Sequence, residues 1–337
     1  MRKTYLDTAR IAACFLVIVN HTNSRIFLSA EPSGLWVVSV AYFFLSKIAV
    51  PMFLLVSGDL LLGGRESYKK TAVRFLRILG ALVLFSLIYY LIGCAEGAQV
   101  FGAGDFFLAI LKHDITNCFW YLYLYLALMV MLPASQAMAA GFAKRDFVYF
   151  CFISIIIIGG VPYLTHYFPA LGEIPGLYLP LFSVYIGLMM VGRYFGSVCP
   201  PGRRTAAIAA VVFVVCIALN VIGTNFEYKA SPSWYLFFDE RTSALITIPS
   251  ICAFILLRYF VKGSERSGKV LGYISGLTFG AYLLSDLAIN HSGGIFEAMA
   301  KTLTPIPAVI IWELGIFVVC LAVTALLKKI PFIKRLL

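Results

Sequence analysis

Long apolar stretches recur along the whole length of this 337-residue chain and leave few folds open to it. A helix needs about 20 mainly apolar residues to cross the hydrocarbon core of a bilayer, and Gly, Pro and charged clusters divide the chain into ten such stretches. The predicted spans are 5–22, 35–62, 77–95, 119–140, 147–165, 177–195, 205–223, 242–260, 271–290 and 305–327. We therefore expect an all-α integral membrane protein with about ten transmembrane helices.

Composition excludes the soluble classes of protein. Hydrophobic residues make up 61% of the chain and charged residues 13%, whereas soluble domains have about 45–50% and 25%. No segment is polar enough to stand alone, so residues 1–337 are predicted to form one transmembrane domain without a separate soluble domain. The first span begins like a signal peptide, but Asn20 and His21 interrupt it and no A-x-A site follows. It is predicted to remain as an uncleaved helix.

The net charge of +11 is distributed unevenly over the loops. Twenty lysines and arginines fall in the two termini and in every second loop, five fall in the alternate loops, and two lie within spans. Cytoplasmic loops carry the excess of basic residues in membrane proteins. Both termini are therefore predicted to be cytoplasmic, and a nucleic-acid role has no support.

The eight cysteines form no CxxC pair, and most lie in apolar runs, where a thiol behaves as a small hydrophobe. No metal site follows from this pattern. Cys94 and Cys118 flank one predicted outer loop, so a disulfide between them is the one bridge the sequence allows.

The first span contains ionisable groups that are costly inside a membrane and are therefore functional candidates. Arg10 and His21 are eleven residues apart, which places them on one helix face about 16 Å from each other. Asp7 lies three residues before Arg10 and can pair with it. The alternatives are a snorkelling arginine for Arg10 and a residue at the outer headgroups for His21.

Two arginines, Arg74 and Arg77, are spaced i,i+3 at the predicted cytoplasmic start of the third span. Such a pair can bind phosphate in a bidentate manner. The alternative is that both arginines anchor the helix to anionic lipid headgroups.

Two dipeptides add weaker signals. Gly58, after Ser57, allows close backbone approach to a neighbouring helix or to a ligand. Trp120 and Tyr121 open the fourth span, where a pair of aromatics ordinarily forms an interfacial belt.

Taken together and in order, these residues resemble the acyltransferase-3 family of integral membrane acyltransferases, bacterial enzymes that modify cell-surface glycans. The resemblance covers nearly the whole chain. The motifs that carry it are Arg10 and His21 in the first helix, Ser57-Gly58 after a Pro-x-Phe run, the RxxR of Arg74 and Arg77, and Trp120-Tyr121 in a span that ends at Pro133.

A late segment, 275–284, also resembles the family, but where the family usually continues with His this chain has Ser285 and then Asp286. This departure puts a catalytic role for the late segment in doubt. The ending Lys329-Ile330-Pro331 resembles short family members, so the fused soluble esterase-like domain of some relatives is not expected.

The resemblance implies an acyltransferase that moves groups other than amino-acyl groups, most simply an O-acetyltransferase of the bacterial cytoplasmic membrane. Its donor would be acetyl-CoA or another acyl-CoA, used as a substrate, with no permanently bound cofactor. Its acceptor would be a hydroxyl of an extracytoplasmic glycan or lipid-linked sugar.

The residues suggest roles within that reaction. His21 is predicted to act as general base in direct transfer, with an acyl-His21 intermediate as the alternative. Arg10 and Asp7 are predicted to belong to the catalytic group with His21, and Arg10, Arg74 and Arg77 are predicted to bind the donor. Supporting or acceptor roles are assigned to Asp286 or Glu313 as orienting acids, to Ser57 and Gly58 near the site, and to Trp120 and Tyr121 at the acceptor. A glycan exporter or a non-catalytic membrane sensor on the same fold remains open.

Overall fold

The computed structural model describes residues 3–22, 26, 33–169, 183–230 and 242–337. Those residues form helices and short connections, with no strand among them. The helices are α1 (Thr4–Thr22), α2 (Gly34–Lys47), α3 (Ala49–Leu61), α4 (Tyr68–Ala95), α5 (Ala103–Lys112), α6 (Trp120–Gly141), α7 (Lys144–Cys151), α8 (Gly159–Tyr167), α9 (Val184–Arg193), α10 (Arg203–Ala230), α11 (Ala244–Phe260), α12 (Glu265–Ser275), α13 (Thr278–Ala300), α14 (Pro305–Leu327) and α15 (Pro331–Leu336).

The membrane character predicted from the sequence is confirmed, while the count of ten spans stays a prediction. Six helical stretches of the described chain are long and apolar enough to cross a membrane, and α12 with α13, bent by 45°, makes a seventh. The six are Gly34–Leu61, Tyr68–Ala95, Asn117–Gly141, Lys144–Tyr167, Arg203–Ala230 and Pro305–Leu327. The sixth predicted span, 177–195, begins outside the described residues, which resume at Ser183.

Helix α1 is the central helix of the bundle. It contacts α3, α12 and α13 most closely, and also α2, α11 and α14. Ala9, Ala13 and Cys14 are fully buried on it, because small side chains let neighbouring helices approach. Surrounded by protein, α1 can carry polar residues that a lipid-facing helix could not.

Helices α3 and α9 cross at two glycines. A Cβ atom on Gly58 would overlap the backbone of Met189, and one on Gly192 would overlap the backbone of Leu55. Both glycines are therefore required for this crossing. Of the two interpretations of Gly58, the structure supports close helix packing.

A network around the buried Asp59 fastens the start of α1 to α3. Lys3 Nζ lies 2.9 and 2.8 Å from the two carboxylate oxygens, Ser197 Oγ donates to Oδ1 at 2.5 Å, and the Tyr5 hydroxyl donates to Oδ2. Because this buried charge is paired and hydrogen-bonded, it is compatible with the interior. The network fixes the position of α1 along its axis.

Candidate active site

Two cavities lie along α1, one near each end. The arginine cavity, of about 400 Å³, is lined by the cations Arg10, Arg74, Arg77 and Lys328 among other residues. The histidine cavity, of about 140 Å³, is lined by residues that include His21. Since α1 is continuous from Thr4 to Thr22, Arg10 and His21 are separated by about 16 Å of helix, as the sequence predicts.

Three aromatic side chains line both cavities and form a shared wall: Phe53, Tyr121 and Tyr282. The ring centroids of Phe53 and Tyr121 are 5.8 Å apart, and those of Tyr121 and Tyr282 are 6.3 Å apart in an edge-to-face arrangement. The two cavities are therefore neighbours that share these three residues in their walls.

Arg10 extends into the arginine cavity with no ion pair or hydrogen bond to any other described residue. The predicted pair with Asp7 is therefore not formed. Asp7 lies in the packed interior with 4% of its surface exposed, while the guanidinium of Arg10 reaches the cavity. The side chains that line this cavity include no carboxylate. Arg10 is thus available for an anion.

The two arginines of the RxxR motif line the same cavity, as their spacing predicts. Arg74 Nη2 donates to Glu66 Oε1 at 2.9 Å, and its buried Nε has no hydrogen-bond partner among the described residues. Arg77 Nε donates to the carbonyl of Leu336 at 2.9 Å. Partial burial raises the pKa of Glu66, but the hydrogen bond from Lys70 and the charge of Arg74 outweigh it, so the pKa lies below its ordinary value.

Lys328 is a cavity residue that the sequence analysis missed. It follows the last residue of α14, and its Nζ donates to the carbonyl of Gly276 at 2.8 Å. Burial lowers the pKa of Lys328, and the nearby charges of Arg77 and Lys334 lower it further. The lysine is visible in the sequence, but a lysine just beyond a span is ordinarily interpreted as a residue that sets the orientation of the helix in the membrane.

In the histidine cavity, His21 Nε2 lies 3.4 Å from Cys118 Sγ. Cys118 sits on a short 3₁₀ turn, Asn117–Phe119, that leads into α6. The Tyr282 hydroxyl donates to the carbonyl of Cys118 at 2.5 Å and fixes that turn. Both Cys118 and Cys94 are free thiols, so the disulfide allowed by the sequence is not formed.

Asp286 supports the same turn. Thr116 Oγ1 donates to Asp286 Oδ2 at 2.7 Å and accepts from the backbone N–H of Cys118 at 3.2 Å. Asp286 directly follows Ser285, which occupies the position where the family usually has His. Asp286 thus holds the turn that carries Cys118 against His21.

Glu313 is a fully buried residue of α14 that contacts the C-terminal end of α1. Its two oxygens accept hydrogen bonds from Thr22 Oγ1 at 2.5 Å and from the Tyr42 hydroxyl at 2.7 Å. Thr22 follows His21 directly in the chain. Glu313 therefore links α14 to the helix end that bears the histidine, and it does not line the histidine cavity described here.

The remaining predicted residues divide into two groups. Trp120 and Tyr121 line the histidine cavity, so they face the interior at that point. Ser57 and Gly58 line neither cavity within the described structure, and Ser57 Oγ lies 3.4 Å from the Tyr125 hydroxyl, which does belong to the arginine cavity.

Two further residues line the cavities without a role assigned to them from the sequence. Tyr125 is one helical turn beyond Tyr121, and an i,i+4 pair of tyrosines was the available signal. Lys47, a cation within the second span, lines the histidine cavity and places its Nζ 4.1 Å from the ring centre of Phe43. Among the described residues, no group of three or more His, Cys, Asp or Glu could hold a metal ion.

Comparison with known proteins decides the family. Residues 3–329 match the family model Acyl_transf_3, described as an acyltransferase domain. The chain belongs to the acyltransferase-3 family. No curated protein and no solved structure matches it. The matched residues include Arg10, His21 and Lys328.

Proposed function

We propose that this member of the acyltransferase-3 family transfers an acyl group, most simply acetyl, from cytoplasmic acyl-CoA to a hydroxyl of an extracytoplasmic glycan or lipid-linked sugar. The protein would act in the bacterial cytoplasmic membrane. The observation that carries the proposal is the pair of adjoining cavities along α1, one cationic and one containing His21.

The arginine cavity suits the nucleotide end of the donor. CoA carries a diphosphate and a 3′-phosphate, and guanidinium groups bind phosphate oxygens in bidentate geometry. Among the described residues, Arg10 has no ion-pair or hydrogen-bond partner, and the buried Nε of Arg74 has no hydrogen-bond partner. The cavity therefore holds positive charge that protein groups leave only partly neutralised.

The histidine cavity suits the transfer step. With an unperturbed pKa near 6.5, an imidazole is able to accept a proton near neutral pH. In direct transfer, His21 takes the proton of the acceptor hydroxyl as its oxygen attacks the thioester carbonyl. The bond from carbonyl carbon to sulfur then breaks, and the CoA thiolate takes the proton back from His21. In the alternative, an imidazole nitrogen of His21 attacks the thioester carbonyl, the carbon–sulfur bond breaks and CoA leaves as the thiolate; the acceptor oxygen then takes the acyl group from His21, and its proton passes to the thiolate.

The shared wall sets the path between the two cavities. The pantetheine arm is long and thin, and it would pass Phe53, Tyr121 and Tyr282 to bring the thioester across the roughly 16 Å between Arg10 and His21. Trp120 lines the histidine cavity and would stack on a sugar ring of the acceptor there. The small volume of the histidine cavity, about 140 Å³, favours a short acyl group.

Three side chains in the histidine cavity are candidates to stabilise the negative charge on the thioester oxygen. Asn20, Asn117 and Lys47 line it and carry hydrogen-bond donors. Donors aimed at the developing oxyanion are worth a large part of the rate in acyl transfer.

The experiment that tests the proposal is release of free CoA from acetyl-CoA by the purified, reconstituted protein supplied with bacterial envelope glycans. We expect release that depends on the protein and on the acceptor, with the acyl group recovered on the glycan by mass spectrometry. Folded protein that consumes no acyl-CoA would instead favour a glycan exporter or a non-catalytic sensor.

A further inference from the structure

The break between α12 and α13 forms one wall of the arginine cavity. Ser275, Gly276, Thr278 and Phe279 all line that cavity, and α13 begins at Thr278 and runs for 23 residues. The first backbone N–H groups of a helix have no partner within the helix, and they carry the positive end of its dipole. This wall therefore offers hydrogen-bond donors to the cavity.

An unpartnered hydroxyl lies at the same place. Ser275 is 5% exposed, and its buried Oγ has no hydrogen-bond partner in the described part of the chain. Buried hydroxyl groups in folded proteins are nearly always hydrogen-bonded. A cavity ligand that accepts a hydrogen bond would supply the missing partner.

A cation contacts the same break between α12 and α13. Lys328 Nζ is 2.8 Å from the carbonyl of Gly276, the residue after Ser275. Burial and the neighbouring cations Arg77 and Lys334 lower the pKa of Lys328. The ammonium group is therefore in surroundings of positive charge, which a bound anion would relieve.

We propose that Ser275, the N-terminus of α13 and Lys328 form a phosphate-binding subsite, distinct from the arginine pair, that takes one phosphate group of the donor. A hydroxyl, backbone N–H groups and an ammonium together match the acceptor oxygens of a phosphate. The identity of the ligand as CoA rests on the proposed function, whereas the subsite itself rests on the geometry of the α12–α13 break.

The test is calorimetric binding of CoA and of inorganic diphosphate to the purified full-length protein. The variants are Lys328→Gln and Ser275→Ala. Lys329→Gln is the control for the lysine, since Lys329 is exposed and lines neither cavity. Ser86→Ala is the control for the serine, because Ser86 is also buried, also has no hydrogen-bond partner among the described residues, and lines neither cavity.

We expect the affinity for both probes to fall about tenfold in Lys328→Gln and about threefold in Ser275→Ala, with both controls like wild type. Lys328→Arg should recover most of the binding. If Lys328 only neutralises the end of α12, Lys328→Gln will lower the thermal midpoint of unfolding while the folded protein binds both probes as wild type does, and this result would overturn the subsite.

The two proposals fail in different ways. Wild-type protein that binds diphosphate but not CoA, with binding lost in Lys328→Gln and Ser275→Ala, would retain the subsite and remove CoA as the donor. Wild-type protein that binds CoA with unchanged affinity in both variants would keep the donor and overturn the subsite. Wild-type protein that binds neither probe would overturn both.

Discussion

The two cavities along α1 are built in opposite ways. The arginine cavity is the larger, about 400 Å³ against 140 Å³, and its four cations come from α1, α4 and the residue after α14. In the histidine cavity, Cys118 contacts His21 from a short turn, and Thr116 and Asp286 hold that turn by hydrogen bonds. Under the proposed function, this contrast assigns donor affinity and chemistry to separate sets of residues, and substitutions should separate them too.

The largest expected effect is that of His21→Ala. Loss of a general base lowers turnover by about 10²- to 10⁴-fold, and no residue of the arginine cavity is changed. We expect acyl transfer to be lost while acetyl-CoA still binds, as measured by CoA release and by calorimetry. His291→Ala is the control, because His291 pairs with Glu96 and lies outside the histidine cavity. Near-normal turnover in His21→Ala would end the assignment.

The next effect is that of the double variant Arg74→Ala/Arg77→Ala. If the two guanidinium groups bind donor phosphate as proposed, their removal should raise the apparent KM for acetyl-CoA at least about tenfold, or roughly 1.4 kcal/mol, with kcat within about threefold of wild type. Steady-state kinetics of CoA release measures both constants. Arg203→Ala/Arg204→Ala, at the start of α10 and outside the arginine cavity, is the control. An unchanged KM would assign Arg74 and Arg77 to membrane anchoring.

In the histidine cavity, Cys118→Ala should have a smaller effect than His21→Ala. If the thiol only orients the imidazole of His21, kcat should fall by about threefold to tenfold without a change in KM, since misplaced groups lose part of their catalytic effect. Cys118→Ser should recover part of the rate, and Cys94→Ala should be neutral. A loss as large as that of His21→Ala would give the thiol a direct chemical role.

The smallest expected effect is that of Glu66→Gln. The carboxylate of Glu66 neutralises part of the charge of Arg74. Its removal should therefore strengthen acetyl-CoA binding by about twofold, an effect as small as the energy of other partly exposed ion pairs. Because the pKa of Glu66 is lowered, the carboxylate stays charged across neutral pH, and the difference should be constant from about pH 6 to 8. Glu265→Gln breaks the exposed pair with Lys269 and is the control. Weaker binding in Glu66→Gln alone would contradict this account.

The sequence predicts the helical membrane fold well, because apolar length is a direct physical signal. It also predicts that Arg10 and His21 lie apart on one helix face and that Arg74 and Arg77 lie together on the face of another helix. These predictions depend on spacing within single helices, and the geometry of a helix fixes that spacing.

What the sequence does not predict depends on contacts between distant segments. Lys328 reaches Gly276 across 52 positions, and Cys118 reaches His21 across 97. The Asp7–Arg10 pair fails for the same reason, since the cavity formed by other helices draws the guanidinium away. Helical periodicity carries no information on which helices become neighbours.

The most direct test of the division between the two cavities is calorimetric titration of acetyl-CoA into three purified proteins: wild type, His21→Ala and Arg74→Ala/Arg77→Ala. We expect saturable binding of similar affinity in wild type and His21→Ala, and affinity at least about tenfold weaker in the arginine variant. Equal affinity in all three, or loss of binding in His21→Ala alone, would contradict the assignment of donor affinity to the arginine cavity.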